Sequence, residues 1–125
     1  MNIPNGYLPV MPYLIIEGTH KFIDFMKEVF NAEVQYIEER GEGNVRHSEL
    51  RIEQAVIMAA DPVDEYRPFP GSIFLYVENA DTIFQRAMAK GMRQLQELAT
   101  REYGRGGGFA DEFGNHWWVN TPLEK

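Results

Sequence analysis

Residues 73–91 read IFLYVENADTIFQRAMAKG: a β-rich run, a capping asparagine, then a helical pattern closed by glycine. In the helix Ala80, Ile83, Phe84, Ala87 and Met88 keep the 3.6-residue spacing, Asn79 stands at the N-cap and Gly91 supplies the left-handed stop. The same order occurs earlier in the chain. Leu8 to Glu17 is an apolar, β-branched stretch broken by Pro9 and Pro12, which predicts a strand beginning at a sheet edge. Thr19 then caps a helix in which Phe22, Phe25, Met26, Val29 and Phe30 share one face, and Asn31 ends it.

Asn31 and Gly91 lie 60 positions apart. The same shift carries Tyr13–Ile16 onto Ile73–Tyr76, the tight turn Glu53-Gln54 onto Phe113-Gly114, and Ile57-Met58 onto Trp117-Trp118. A constant offset of 60 is therefore expected throughout. In the first half, strands are predicted at 33–40, 45–52 and 55–60, with a turn over 41–44, so each half reads βαβββ. Side-chain identity is hardly shared between the halves, which makes this a structural repeat of two copies rather than a solenoid. The fold class is α+β: one domain over 1–125, with module one at about 8–60, a connector at 61–70 and module two at about 71–121. Each module would set a helix on one face of a small sheet and leave the other face free to form half of a cavity.

Composition narrows the chemistry. The 125 residues carry 44% hydrophobic and 25% charged side chains, which suits a packed core rather than a disordered chain. There is no cysteine, so no disulfide, thiolate nucleophile or zinc-thiolate site is available, and a cytoplasmic location is expected. No apolar run approaches the ~20 residues of a membrane helix, and Met1 to Val10 lacks the pattern of an export signal. With 12 basic residues against 19 acidic ones, a net charge of −7 and no basic cluster, nucleic acid is excluded as a partner.

Three segments together resemble a known family: Met11-Pro12-Tyr13-Leu14 before a helix, His47-Ser48-Glu49-Leu50-Arg51-Ile52, and Asp111-Glu112-Phe113-Gly114-Asn115-His116-Trp117-Trp118. The chain is similar to the vicinal oxygen chelate superfamily, the glyoxalase, bleomycin-resistance and extradiol dioxygenase group, from about Leu8 to Thr121. The Asp-x-x-Gly-Asn hairpin is its most specific part. The resemblance implies paired modules, a homodimer and, in the enzymes, a divalent metal on four strand residues. Those four positions fall at Pro12, Met58, Ser72 and Trp118, none of which is His, Glu or Asp. No metal and no other cofactor is therefore expected.

Strand alternation, counted from the same four positions, selects the cavity-facing residues. Pairing through Glu53-Gln54 sets Glu49 opposite Met58 and Arg51 opposite Val56, so His47, Glu49 and Arg51 line the cavity. Leu14, Ile16, Phe74 and Tyr76 join from the first strands. Phe109, Asp111, His116, Trp118 and Asn120 complete a largely apolar, aromatic pocket of the kind that takes small molecules.

Ligand-binding candidates are Arg51, Phe74, Tyr76, Phe109 and Trp118, the last as a stacking surface for a planar ligand. The catalytic candidates are His47, Glu49 and His116, since a histidine near its ordinary pKa of about 6.5 beside a carboxylate suits acid–base work. Against this stands a Glu49–Arg51 ion pair with a solvated His47. Trp117 points away, into the core. Arg105-Gly106-Gly107-Gly108 lacks the features of a phosphate loop and reads as a flexible loop over the pocket. The connector, with Tyr66 and Phe69, reads either as a plain inter-module linker or as a cover for the pocket mouth or a partner subunit. Two readings follow: metal-independent binding of a small planar or aromatic molecule, or a lyase, isomerase or dioxygenase whose site has moved to His47, Glu49 and His116. A third possibility is a structural dimer whose cavity is filled by Trp118 and Phe109.

Overall fold

The computed structural model describes residues 1–41 and 43–124. The chain divides into two compact units, 1–70 and the remainder from Gly71. The first contains β1 (Tyr13–Ile15), α1 (Thr19–Phe30), β2 (Glu33–Gly41), β3 (Asn44–Ile52) and β4 (Ala55–Ala60). The second contains β5 (Ser72–Tyr76), α2 (Ala80–Ala89), β6 (Arg93–Arg101), β7 (Gly104–Ala110) and β8 (His116–Thr121). The sheet orders are β1-β4-β3-β2 and β5-β8-β7-β6, with one parallel pair, the outermost, in each. The predicted doubled βαβββ order is present. The turn expected over 41–44 includes Glu42, which lies outside the described residues.

α1 buries Phe22, Phe25, Met26, Val29 and Phe30, the face its spacing predicts, and Asn31 ends it at φ 58°. Its start differs from expectation. Gly18, at φ 86°, takes the cap position and Thr19 is the first helical residue, its hydroxyl donating to the Ile16 carbonyl at 2.9 Å. Asp61, just past β4, satisfies the helix instead: Oδ1 accepts from the Gly18 and Thr19 amides at 3.0 and 3.2 Å, and Oδ2 from the Val45 amide at 2.7 Å. A carboxylate at a helix N-terminus meets both the unpaired N–H groups and the positive end of the dipole. In α2 the cap is the predicted one, Asn79, which accepts from the Thr82 amide.

The constant offset does not survive. Tyr13 pairs with Met58, whereas Phe74 pairs with Trp118, so β1 and β5 are 61 apart. Met58 faces Glu49 and Trp118 faces Gly108, which puts β3 and β7 59 apart. The cause of the second change is the β7–β8 hairpin, whose loop spans the five residues 111–115 where β3–β4 turns on Glu53 and Gln54 alone. A change of one residue moves a strand's alternate side chains to the other face. Leu14 and Ile16 accordingly belong to the buried face under α1, and Tyr13 and Ile15 to the open one.

The glycine-rich run is not a loop. Gly106, Gly107 and Gly108 lie within β7; all three pair with β8, and Gly106 and Gly108 also with β6. Arg105 at its start holds Asp81 of α2 through two bonds of 2.7 and 2.9 Å. That contact keeps the Asp81 carboxyl below its ordinary range and the guanidinium above its own.

Candidate functional site

On the open face of the first unit, β1, β4, β3 and β2 align Tyr13, Met58, Glu49 and Tyr36 in one row across the strands. Glu49 is the polar centre of this row and is only 4% exposed. Its Oε1 accepts from the Tyr7 hydroxyl at 2.7 Å and from the Gln35 side chain at 3.3 Å, and its Oε2 lies 2.8 Å from His47 Nε2. The carboxylate thereby selects the histidine tautomer with the proton on Nε2. Nδ1 then accepts from the Tyr13 hydroxyl, 3.0 Å away. A continuous chain runs Tyr13–His47–Glu49–Tyr7, its Tyr13 end exposed. Burial pushes the Tyr13 phenol pKa up. Burial also pushes Glu49 up, but the hydrogen bonds from Tyr7, His47 and Gln35 outweigh it and hold the carboxyl below its ordinary 4.5.

Arg51 does not pair with Glu49. Its guanidinium grips the Gln35 side-chain oxygen at 2.6 and 3.0 Å and the Gly6 carbonyl at 2.8 Å. Gln35 thus joins the two: its oxygen takes Arg51 and its nitrogen gives to Glu49. A depressed carboxyl stabilises the fold above its unfolded pKa, and that stability is lost as pH falls through the folded value. Glu49→Gln should therefore cost roughly 1.5–3 kcal/mol at neutral pH, the weight of hydrogen bonds to a charged group, and should flatten the loss of stability below pH 4.5. Urea midpoints of both proteins between pH 7 and pH 3 test this; parallel curves would refute it.

Beside Tyr13 lies a cleft of about 620 Å³, walled by Tyr13, Ile15, Arg40, Arg46 and Tyr66. The connector reaches it through Tyr66, while Phe69 adds a bridge to Ile15 on the free edge of β1.

In the second unit, β5 and β8 place Ser72, Phe74, Tyr76, His116, Trp118 and Asn120 on one face. Trp118 is fixed from two sides. Its Nε1 donates to Ser72 Oγ at 2.8 Å, and its benzo ring lies where a side chain on Gly108 would stand. His116 meets Trp118 edge to face at 6.3 Å. Phe74 and Tyr76 are 51% and 68% exposed. Trp118, Phe74, Gln96, Tyr103, Gly106 and Asn120 wall a cleft of about 270 Å³. Asn120 is buried there; its side-chain nitrogen donates to the Tyr103 carbonyl at 3.1 Å and its Oδ1 has no partner among the described residues.

Two residues expected on this face lie elsewhere. Phe109 is fully buried and meets Phe84 of α2 edge to face, because the five-residue hairpin reverses the parity of β7. Asp111 belongs to the hairpin itself, accepting from the Phe113 and Asn115 amides, the Asn115 side chain and Trp117 Nε1 at 2.8–2.9 Å. His47 and Glu49 are joined directly, whereas His116 belongs to the second unit beside Trp118. Tyr7, Gln35, Gln96 and Tyr103 were not legible as site residues. Tyr7 precedes every element, and Gln35 gains its role from a bulge between Val34 and Tyr36.

The family's divalent metal does not fit the residues at its four positions. Pro12 and Met58 offer no hard donor atom, and the Ser72 oxygen accepts from Trp118. The revised register puts Tyr13, not Pro12, beside Met58, which supplies no carboxylate or imidazole either. Among the described residues no group of three or more His, Asp or Glu side chains converges on a point a cation would occupy.

Comparison with known proteins agrees with this architecture. Residues 10–119 match the model of the Glyoxalase/Bleomycin resistance protein/Dioxygenase superfamily. An uncharacterized protein of Mycobacterium bovis, Mb0911c, is 29% identical over 126 residues, covering 91% of this chain and 83% of its own length. Among solved structures, TioX from Micromonospora sp. ML1 superposes with a TM-score of 0.78 at 18% identity, over 94% of this chain and all of that one. TnmS3, an antibiotic binding protein from Streptomyces sp. CB03234, gives 0.71 at 16% identity, again over 94% of this chain and all of that one. No helix among the described residues is long and apolar enough to cross a membrane. On the evidence of its doubled βαβββ units and the match over 10–119, the chain belongs to the glyoxalase/bleomycin resistance protein/dioxygenase superfamily.

Proposed function

We propose that this protein binds a small planar aromatic molecule, without a metal, on the face that carries Trp118. The observation that carries this is the indole held between the Ser72 hydroxyl and Gly108, with the unpartnered Asn120 oxygen in the same cleft. A flat ligand stacking on Trp118 gains roughly 0.5–2 kcal/mol from the aromatic contact. The antibiotic binding described for TnmS3 supports this class of ligand. We place the protein in the cytoplasm as a homodimer, a reading supported by the absence of cysteine and by family membership.

Trp117 is buried with its nitrogen on Asp111, so it serves as a fixed internal emitter. A binding compound from an aromatic and antibiotic panel should change the emission of the wild type, and Trp118→Phe should abolish the change while leaving Trp117 emission in place. No response in the wild type, an undiminished response in the variant, or a stoichiometric, tightly held divalent metal in chelator-free protein would each defeat the proposal.

The alternative, an enzyme, is favoured by one observation, the Tyr13–His47–Glu49 chain. It could pass a proton between His47 and a group bound at Tyr13. Its signature would be turnover lost in Glu49→Gln.

A further inference from the structure

The third donor to Glu49 is out of place. His47 and Gln35 belong to the sheet, on β3 and β2, but Tyr7 lies in a segment of no regular structure that precedes β1. That segment turns at Gly6 (φ 87°), where the Tyr7 amide reaches back to the Pro4 carbonyl. Its hydrogen-bonded ties to the sheet are the Gly6 carbonyl, which accepts from Arg51 and Gln35, and the Tyr7 hydroxyl, which donates to Glu49. Met1, Asn2, Pro4, Asn5 and Gly6 are exposed and Ile3, Tyr7 and Leu8 only half-buried, so no residue of 1–8 is fully buried to add to those ties. Segments held by few buried contacts open at low free energy.

Opening would uncover a carboxylate flanked on its row by Met58 and Tyr36 and on its strand by His47 and Arg51. We infer that this is a binding site for a phenol, and that Tyr7 is its tethered occupant, a strap that a free phenolic ligand must displace. The inference rests on first-unit residues alone and stands apart from the Trp118 cleft. Phenol is the chemistry the present occupant shows: a flat ring with one O–H donated to Glu49 at 2.7 Å. An ammonium ligand is disfavoured, because Arg51 and Glu49 share one Gln35 amide and a cation there would lie beside the guanidinium. A ligand with no donor would leave Glu49 short of a partner in a buried position.

The probe is 4-methylphenol, which reproduces the Tyr7 side chain, titrated by NMR into full-length wild type and Tyr7→Ala. A strap closed nine-tenths of the time lowers apparent affinity about tenfold. The Tyr7→Ala variant should thus bind 4-methylphenol about tenfold more tightly than wild type, with its thermal midpoint raised by the probe. Adding Glu49→Gln should undo the gain, and toluene should show no such difference. In the wild type, 4-methylphenol should shift the Tyr7 ring resonances toward those of a solvated tyrosine as the hydroxyl leaves Glu49, a readout that holds even if Tyr7→Ala folds poorly; Tyr7→Phe gives a second, milder variant with the same expected direction. Equal affinity in wild type and variant, toluene equal to 4-methylphenol, 4-methylbenzylamine binding more tightly than 4-methylphenol, or unchanged Tyr7 ring resonances would each overturn the assignment.

Discussion

Asp111→Ala is expected to destabilise the protein by on the order of 4 kcal/mol, the largest effect of any single substitution proposed here. The carboxylate is 7% exposed and accepts four hydrogen bonds, from two amides of its own hairpin, from the Asn115 side chain and from the indole of Trp117. Removing it takes this acceptor away from the buried Asn115 and Trp117 side chains, each loss costing about 1–3 kcal/mol, and releases the turn that fixes the register of β8. Asp111→Asn should fall between, because an amide keeps one acceptor oxygen but turns its NH₂ toward groups that are themselves donors. Urea unfolding followed by Trp117 emission measures both; a loss below about 1 kcal/mol for the alanine variant would show that the hairpin does not depend on this carboxylate.

The second large effect is expected at Gly108. A Cβ at this position would overlap the Cε3 and Cζ3 atoms of Trp118, so Gly108→Ala must tilt the indole off its shelf. Overpacking of this kind costs roughly 1–3 kcal/mol, and an aromatic ligand should bind about tenfold more weakly once the stacking surface has moved. The pair should be non-additive: with Trp118→Ala already made, Gly108→Ala has nothing to displace and should cost little. Gly106→Ala provides the contrast. Its Cβ would meet the Val119 carbonyl, which is backbone, so no side-chain replacement should relieve it. Additivity at the first pair would mean that the indole does not depend on Gly108 for its place.

These two sites mark where the sequence was and was not readable. Both helices follow from spacing and end signals, because the apolar face of α1 and the left-handed residue at Asn31 are local features. The βαβββ order followed in the same way. Site parity is not local. Glu49 falls opposite Met58 as its pattern predicts, because the Glu53-Gln54 turn leaves one register, whereas Phe109 falls on the face opposite to the predicted one because the hairpin at 111–115 holds five residues. Leu14 and Ile16 differ from expectation by a single step in β1. The glycines of β7 read as a loop by propensity; they are strand residues because an indole and a carbonyl occupy the space where side chains would be. Tyr7 is beyond periodicity altogether, since its role comes from a contact with a residue 42 positions away.

Asp61 has a bearing on how the first unit forms. A chain that has emerged as far as Ala60 already holds every strand of that unit, yet the amides of Gly18, Thr19 and Val45 still lack their shared acceptor. The residue that completes them is separated from the helix start by 42 positions. Closing so long a loop is slow relative to helix or hairpin formation. Structure in α1 and β3 should therefore lock in one step, late, when the end of β4 arrives, and a nascent chain stalled one residue short would hold its helix loosely.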